Sequence, residues 1–241
     1  MDQSLVCIID LLGTKGIWTE ESVDRYFRTM EKARKDFDVL KNVFNESAVQ
    51  NSFEFDFITF SDTLVVTLIN KNRYEGFYEL TIEAFTQLIL GIFQEYLSAS
   101  FFARGAISFG EMEKRHNHFV GPAVDDAAEY FELLDMIGIC FTPKSTIAMD
   151  YFIEMNLKFF NNKIGKFVTK YRTPLKNKME LELYQIDWVK FFKEPIAGEN
   201  VQLEPLARLS QFLCRRNIPV LATSKITNTL AFFKEKIENQ H

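Results

Sequence analysis

Two aspartates interrupt the most apolar segments of this sequence, and both are candidate metal ligands. Asp10 ends the run LVCIID, and Asp62 follows Ser61 between the runs FEFDFITF and TLVVTLI. Carboxylate oxygens are preferred ligands of Mg²⁺ and Mn²⁺, and a pair of carboxylates can hold such ions against the oxygens of a triphosphate. Acidic residues at strand ends also serve as turn formers and helix caps, so each aspartate alone fits either interpretation.

The surrounding segments predict the elements that would bring these two side chains together. LVCIID is a continuous apolar run of the kind that is buried on both faces of a sheet. Phe53, Phe55 and Phe57 alternate with polar residues before Ser61 and Asp62, and a β-rich run follows, which predicts a hairpin with the pair at its tip. A ferredoxin-like sheet places these three strands side by side, so both carboxylates would meet at one end of it.

Further along the chain, the hydrophobic pattern predicts more helices and strands. Apolar residues recur every three or four positions over residues 20–40 and 74–97, as expected for amphipathic helices. SFFARGAISFGEM predicts a fourth strand that closes at Gly110, and EKRHNH predicts a polar loop. VDDAAEYFELLDMI then predicts a helix that opens with two acidic residues, and GICFTP predicts a fifth strand. Ser145 is a candidate cap for the helix TIAMDYFIEM.

The order of these elements, β-α-β-β-α-β, predicts an α+β fold (two-layer α/β) with a ferredoxin-like core and an antiparallel sheet. We assign residues 1–158 to this catalytic core. Residues 159–241 contain a late hairpin (KFVTKY and MELELYQIDW) and two amphipathic helices. They are predicted to form a C-terminal α/β extension packed on the core rather than an independent domain.

Composition and charge restrict the class of protein. Hydrophobic residues make up 47% of the chain, enough for a buried core without disulfides or structural metal. No apolar window reaches the length of a membrane span, and the N-terminus lacks a signal-peptide pattern, so we expect a cytoplasmic protein. The net charge of −5 argues against nonspecific nucleic-acid binding, although a local basic patch can still hold a triphosphate. Cys7, Cys140 and Cys214 have no metal or redox spacing and are expected to be buried thiols.

Other polar residues each have a functional and a structural interpretation. Arg104, in an apolar strand beside Gly105, either pairs with a carboxylate such as Glu111 or faces the substrate. His116 and His118 have a spacing that suits a metal, but loop histidines without acidic or cysteine companions are more often solvated.

Two further segments also have both a functional and a structural interpretation. Thr14, Lys15 and Gly16 follow Asp10 closely, where backbone amides can cradle phosphates or simply form a turn. The phenylalanine stripe, at positions 53, 55, 57 and 60, is expected to be core or dimer interface rather than a stacking platform for bases.

Three blocks of the sequence resemble class III adenylate and guanylate cyclases. IIDLLGTKG resembles their first metal-binding motif, and FSDTLVV resembles the second, in which a Gly-Asp or Ser-Asp pair tops a hairpin. RGAISFGEM with FVGPAVDDAAEYFE resembles the strand-loop-helix segment that completes the site from the partner subunit. The resemblance is closer still to the bacterial pyrimidine cyclases of Pycsar antiphage defence, through Ser61-Asp62, the Arg104-to-Glu111 strand and Gly121-Pro122-Ala123.

This resemblance implies a homodimeric, metal-dependent enzyme with composite sites that makes cyclic UMP or cyclic CMP, which activates a separate effector during infection. It implies two Mn²⁺ or Mg²⁺ ions held by Asp10, Asp62 and the backbone carbonyl of Leu11, with Arg104 positioning the nucleotide. The nucleotide-binding residues it implies are Leu11, Gly13, Thr14, Ile58 and Arg104.

Departures from the purine cyclases point to a different base. Those enzymes carry a lysine four residues before the second metal aspartate and an aspartate three residues before the glycine of the last motif. Ile58 and His118 occupy these positions, so we expect a pyrimidine nucleotide as the substrate. UTP is the first choice and CTP the second, although no residue distinguishes the two. The helpers on the last helix, an asparagine and an arginine, correspond to Asp125 and Glu129, and acidic groups there would repel a triphosphate.

Two alternatives remain open at the level of sequence. A catalytically weak cyclase-like module that senses nucleotides or binds proteins is favoured by Asp125 and Glu129 and disfavoured by the intact aspartate pair. A polymerase-palm-like enzyme that synthesises cyclic dinucleotides would need a Gly-Gly-acidic-acidic hairpin, which the sequence lacks.

Overall fold

The structure, a computed structural model, describes residues 1–13, 18–46, 52–116, 118–155, 164–192, 204–214 and 223–238. Within these ranges the fold is α+β, as predicted, with eight strands in one mainly antiparallel sheet and six α-helices.

The strands are β1 (Asp2–Leu12), β2 (Phe53–Phe60), β3 (Thr63–Asn70), β4 (Phe102–Arg115), β5 (His118–Val120), β6 (Gly138–Phe141), β7 (Val168–Leu175) and β8 (Met179–Ile186). The α-helices are α1 (Glu20–Asn45), α2 (Phe77–Ser98), α3 (Pro122–Leu133), α4 (Pro143–Met155), α5 (Pro205–Cys214) and α6 (Thr223–Glu238). Short 3₁₀ turns span Ile164–Lys166, Lys176–Lys178 and Trp188–Phe192.

The first four long strands form the predicted ferredoxin-like core. Their order across the sheet is β2-β3-β1-β4, and β1 runs antiparallel to both of its neighbours. Helices α1 and α2 contact each other and the strands on one face of this sheet. That face is lined by Leu5, Cys7, Ile9 and Leu11 of β1, which belong to the main hydrophobic core. The continuous apolar run at the N-terminus therefore becomes the central strand, as the sequence predicts.

Helix α3 covers part of the opposite face. Because side chains alternate along a strand, Val6 and Ile8 point away from the main core and form a second cluster with Ala123 and Ala127 of α3. Asp10 has the same parity as Val6 and Ile8. It therefore lies on the face that α3 covers, at the end of the strand.

The C-terminal part of the chain continues the same sheet. β6 pairs in parallel with β4, and the antiparallel hairpin of β7 and β8 follows beyond it. Trp188 is fully buried and lies against Phe93 of α2 and against Phe232 and Phe233 of α6. The extension thus shares its hydrophobic core with the first part of the chain. The boundary placed after residue 158 falls outside the described residues and stays a prediction.

Several local predictions were wrong. β4 does not close at Gly110 but runs to Arg115, because Glu113 to Arg115 pair with β5 and turn the predicted loop into a hairpin. Helix α3 begins at Pro122, ahead of the acidic pair. Cys214, at the end of α5, is exposed rather than buried, whereas Cys7 and Cys140 are buried as expected.

Ser145 is not the cap of α4. The helix begins at Pro143, whose fixed φ suits a first helical position, and Ser145 lies in the first turn. Its amide donates to Oγ1 of Thr142 at 3.4 Å, and its own hydroxyl accepts from the amide of Phe109 at 2.7 Å. Ser145 therefore ties α4 to β4.

Candidate active site

Asp10 lies at the end of the central strand, between polar residues on both neighbouring strands. In the antiparallel registers it is opposite Thr63 of β3 on one side and Arg104 of β4 on the other. Its Oδ1 accepts a hydrogen bond from the Thr63 hydroxyl at 3.3 Å, and its Oδ2 lies 3.4 Å from Nη2 of Arg104. Both oxygens are thus engaged, and the carboxylate has a fixed orientation at this end of the sheet.

Asp62 occupies the tip of the hairpin between β2 and β3, as predicted. The two strands are joined by Ser61 and Asp62 alone, and Ser61 adopts the left-handed conformation with φ of 55°. The amide of Leu11, directly after Asp10, donates to the carbonyl oxygen of Asp62 at 3.1 Å. The end of β1 and the hairpin tip are therefore joined, which brings the two aspartates to the same end of the sheet.

The electrostatics of Asp10 reflect this convergence. Burial is the main cause that raises the pKa of its carboxyl group, and the negative charge of Asp62 raises it further. The guanidinium of Arg104 and the hydrogen bond from Thr63 act in the opposite direction, but the net pKa stays above the ordinary value. A divalent cation bound beside Asp10 would relieve the repulsion that the charge of Asp62 exerts on this carboxylate.

Arg104 is held by α3 as well as by Asp10. Its Nη1 donates to the carbonyl oxygen of Glu132 at 2.8 Å, and its guanidinium lies over the ring of Phe131 at 5.7 Å. Glu132 is in the last turn of α3, where unpaired carbonyls carry partial negative charge. The prediction of Glu111 as a partner of Arg104 was wrong; in the structure the carboxylate that pairs with Arg104 is Asp10. The short distance between Asp10 and Arg104 follows from the register of β1 and β4, which sequence alone does not fix.

The oxygen donors at this end of the sheet supply part of what a divalent metal ion requires. Among the described residues, no three His, Cys, Asp or Glu side chains cluster in a way that could hold a metal ion. Asp10 and Asp62 therefore have no third side-chain ligand of these types among the described residues, and other oxygens, such as the Leu11 carbonyl, would have to complete the set.

Those predicted nucleotide-binding residues that the structure describes lie around this end of the sheet. Gly13 follows β1 and has a positive φ of 72°, a left-handed conformation that favours glycine. Ile58 pairs with Val65, which lies two residues along β3 from Thr63, the partner of Asp10. Thr14, together with Lys15 and Gly16, lies outside the described residues.

Helix α3 carries three neighbouring acidic residues with different surroundings. Asp125 and Glu129, which replace the expected polar and cationic helpers, are exposed. Oδ2 of Asp126 accepts a hydrogen bond from Ser108 at 2.8 Å and another from Thr142. Asp126 therefore anchors α3 to β4 and to the start of α4, a role that the sequence did not indicate.

The remaining candidates lie away from the aspartates. His116 and His118 occupy the β4–β5 hairpin, at the opposite end of β4 from Arg104. In the stripe of phenylalanines, Phe53 and Phe55 are core residues as predicted, whereas Phe60 is 82% exposed on the edge strand β2. Phe60 does not continue the alternation of Phe53, Phe55 and Phe57. It lies on the same face of the sheet as Asp10.

Tyr26 and Thr63 are site residues that sequence reasoning missed. Tyr26 has helical spacing within α1 and is buried, so its pattern is that of a core residue. Its hydroxyl nevertheless donates to the carbonyl oxygen of Ser61 at 2.9 Å. Trp18, which is 42% exposed, lies edge-on to Tyr26 with ring centroids 5.5 Å apart.

No family model matches the sequence, and no curated protein matches it. Among solved structures, the catalytic core of a rhodopsin-guanylyl cyclase with converted specificity, in complex with ATPalphaS, is 14% identical over 77% of this chain and 95% of its own, with a TM-score of 0.42. The guanylate cyclase domain of RhGC from Catenaria anguillulae, in complex with GTP, is 14% identical over 77% and 96%, with a TM-score of 0.40. An adenylate/guanylate cyclase/hydrolase from Silicibacter pomeroyi is 13% identical over 76% and 95%, with a TM-score of 0.42.

No helix in the described ranges combines the length and the apolar character needed to cross a membrane.

Proposed function

We propose that this protein is a metal-dependent nucleotide cyclase that converts a pyrimidine nucleoside triphosphate, UTP before CTP, to its 3′,5′-cyclic monophosphate. The observation that carries this proposal is the convergence of Asp10 and Asp62 on one end of the sheet. The Leu11 amide joins their backbones, and the charge of Asp62 raises the pKa of Asp10. A structural role as turn former accounts for Asp62 alone but not for a second, half-buried carboxylate beside it.

The reaction joins the 3′-hydroxyl oxygen of the nucleotide to its own α-phosphorus. The bond from that phosphorus to the oxygen bridging to the β-phosphate breaks, pyrophosphate leaves, and the hydroxyl proton passes to solvent. Two bound Mg²⁺ or Mn²⁺ ions would neutralise charge on the polyphosphate and acidify the hydroxyl. Asp10, Asp62 and the carbonyl of Leu11 would hold these ions.

The preference for a pyrimidine is supported by the residues at the base-selecting positions. Ile58 has no hydrogen-bonding side chain, and His118 lies in the β5 hairpin at the far end of β4. Neither can supply the lysine and aspartate pair that purine cyclases use. Gly13, Thr14 and Arg104 complete the proposed nucleotide contacts.

A composite dimer site is part of the same proposal. Phe60 is highly exposed on the edge strand at the end of the sheet where Asp10 lies, a position that a second subunit would cover. The cyclic product would act in the cytoplasm on a separate effector during antiphage defence, without direct contact between effector and cyclase.

One observation favours the rival function, a module that senses nucleotides or binds proteins with little turnover. Arg104 already neutralises Asp10, and the exposed Asp125 and Glu129 stand where cyclases place polar and cationic helpers. Such a module would bind a nucleotide without releasing pyrophosphate.

Product analysis separates the two functions. Purified protein is incubated with each of the four nucleoside triphosphates and Mn²⁺, and products are resolved by mass. We expect cyclic UMP as the main product, with cyclic CMP as the second. Absence of any cyclic product would leave only the rival function, whereas a cyclic purine product would contradict the base assignment alone.

Asp62→Asn tests the site directly. It should lower cyclic product formation by more than about 100-fold, because it removes one of two charges that hold the metal. Metal at about 100 times its Kd should stabilise the wild type by about 2.7 kcal/mol, or roughly 5–10 °C in Tm, and this shift should vanish in the variant. Asp36→Asn, an exposed aspartate on α1, is the matched control and should behave as wild type.

A further inference from the structure

The hairpin tip is held on both sides of Asp62. The carbonyl oxygen of Asp62 accepts a hydrogen bond from the amide of Leu11 at 3.1 Å. The carbonyl oxygen of Ser61, in the preceding peptide group, accepts one from the hydroxyl of Tyr26 at 2.9 Å. These two peptide groups flank the Cα atom of Asp62. Together, the two bonds hold both peptide groups and so fix the direction of the Cα–Cβ bond of Asp62, from which its carboxylate extends.

The tip needs such support because of its conformation. Ser61 has a φ of 55°, a left-handed conformation that is disfavoured for a residue with a Cβ atom. Such conformations persist where surrounding contacts hold them in place. The hydrogen bond from Tyr26 reaches the carbonyl group of this same residue.

Tyr26 is itself rigidly placed. Its ring is buried and makes edge-on contacts with Trp18 at 5.5 Å and with Phe101 at 6.1 Å between centroids. The helix that carries it begins with a capping box between Thr19 and Ser22, one turn earlier. The hydroxyl is therefore presented from a fixed helix rather than from a loop.

The hydroxyl also keeps its proton. Burial raises the pKa of Tyr26, and the negative charge of Asp62 raises it further. At neutral pH the phenol remains a hydrogen-bond donor.

We propose that Tyr26 is a positioning residue that aims the Asp62 carboxylate at the metal site by holding the Ser61 carbonyl. This inference rests on the proposed function, since it assumes that Asp62 binds metal. It assigns to helix α1 a part in the site that neither aspartate motif indicates. Tyr26 contacts neither substrate nor metal in this assignment; it acts through the backbone of the hairpin.

Tyr26→Phe tests this assignment, because it removes the hydroxyl and leaves the ring contacts. Mn²⁺ affinity is measured by electron paramagnetic resonance of the free ion, and we expect it to fall about tenfold, as for other residues that orient metal ligands. Cyclic product formation at low Mn²⁺ should fall in parallel and should recover at saturating Mn²⁺. In Asp62→Asn, excess metal should not restore it.

Tyr184→Phe is the matched control. The Tyr184 hydroxyl donates to Asp150 at 2.9 Å, far along the chain from the hairpin, so this variant loses one comparable hydrogen bond. We expect wild-type Mn²⁺ affinity in this control. A drop equal to that of Tyr26→Phe would mean that general destabilisation is responsible, and would overturn the assignment.

Native-state hydrogen exchange gives a readout that does not need metal or turnover. Amides of residues 58–65 should exchange faster in Tyr26→Phe than in wild type and should be unchanged in Tyr184→Phe. Unchanged exchange, or faster exchange with unchanged Mn²⁺ affinity, would overturn the positioning role. If wild type binds no Mn²⁺, the proposed function fails, and the exchange experiment still decides whether Tyr26 holds the hairpin.

Discussion

Asp10 and Arg104 lie directly opposite each other on β1 and β4, and Oδ2 of the aspartate is 3.4 Å from Nη2 of the arginine. The arginine is mostly buried and is anchored at its other end by the carbonyl of Glu132. A cation that belongs to the protein thus stands where a metal ion bound to Asp10 would need to approach. Arg104 and a metal are expected to compete for the same carboxylate.

This competition predicts that replacing Arg104 changes Mn²⁺ affinity and cyclic product formation in opposite directions. Arg104→Gln should raise Mn²⁺ affinity by about fivefold, since about 1 kcal/mol of ion pairing no longer opposes the metal. Cyclic product formation should nevertheless fall, because the positive charge for the nucleotide is lost. Arg172→Gln, which removes an ion pair with Glu180 on β7 and β8, is the control and should change neither quantity. Weaker Mn²⁺ binding in Arg104→Gln would show that the arginine orients Asp10 instead of competing for it.

The coupling of the two aspartates predicts a change in the titration of Asp10. Asp62→Asn should lower the Asp10 pKa by removing a nearby negative charge, and Arg104→Gln should raise it. The ¹³C shift of the Asp10 carboxyl group, followed against pH in metal-free protein, measures both changes. An Asp10 pKa that does not respond to Asp62→Asn would mean that the carboxylates are too far apart to share an ion.

The same coupling has a consequence for stability. The raised pKa means that the folded protein binds the Asp10 proton more tightly than the unfolded chain does. The contribution of Asp10 protonation to the free energy of unfolding is therefore lost as pH rises from the ordinary aspartate pKa to the raised pKa of the folded protein. Asp62→Asn should reduce that loss, which denaturant unfolding at several pH values in this window would measure.

Gly105, beside Arg104 on β4, allows the two central strands to approach. A Cβ atom there would lie 2.7 Å from the carbonyl oxygen of Ile8. Gly105→Ala should therefore destabilise the protein by about 1–3 kcal/mol and weaken metal binding by displacing the Asp10–Arg104 pair. Gly91→Ala is the matched control, since its Cβ would meet nothing within 4 Å in the helix α2, and a gain of about 0.5–1 kcal/mol is expected. Equal effects of the two substitutions on unfolding by urea would contradict this account.

The acidic residues of α3 should differ in what they stabilise. Asp126→Ala removes the acceptor for Ser108 and Thr142 and should cost about 1–3 kcal/mol of stability. Asp125→Ala, at the neighbouring exposed position, should change stability by less than about 0.5 kcal/mol. Thermal unfolding of the two variants distinguishes them. A large loss in Asp125→Ala would mean that this side chain has an unrecognised structural partner.

The strands around the two aspartates could be predicted because their patterns are strong and local. A continuous apolar run becomes β1, and alternation around Phe53 and Phe55 becomes the hairpin that carries Asp62. The ferredoxin-like strand order then follows from the order of elements along the chain. Prediction failed at the end of β4, where Glu113 to Arg115 are polar and form a strand only because β5 pairs with them.

The contacts within the candidate site were harder to predict, since they depend on register and on helix placement. Glu111 was the carboxylate predicted from the sequence as a partner for Arg104, whereas the antiparallel register of β1 and β4 places Asp10 opposite the arginine. Tyr26 has the spacing of an ordinary core residue, so nothing in the pattern distinguishes a tyrosine that reaches the hairpin from one that only packs. Hydrogen bonds of this kind become visible only when helix and sheet are placed together.

The two tryptophans of this chain differ in a way that has a practical consequence. Trp18 is partly exposed and touches Tyr26, whereas Trp188 is enclosed among aromatic rings in the core. Unlabelled protein therefore contains one fluorophore near the aspartate end of the sheet and another shielded from solvent. Quenching by Mn²⁺ or by a nucleotide should dim the redder emission of Trp18 first, while Trp188 serves as an internal reference. Loss of this selective quenching in Trp18→Phe would assign the signal to the site.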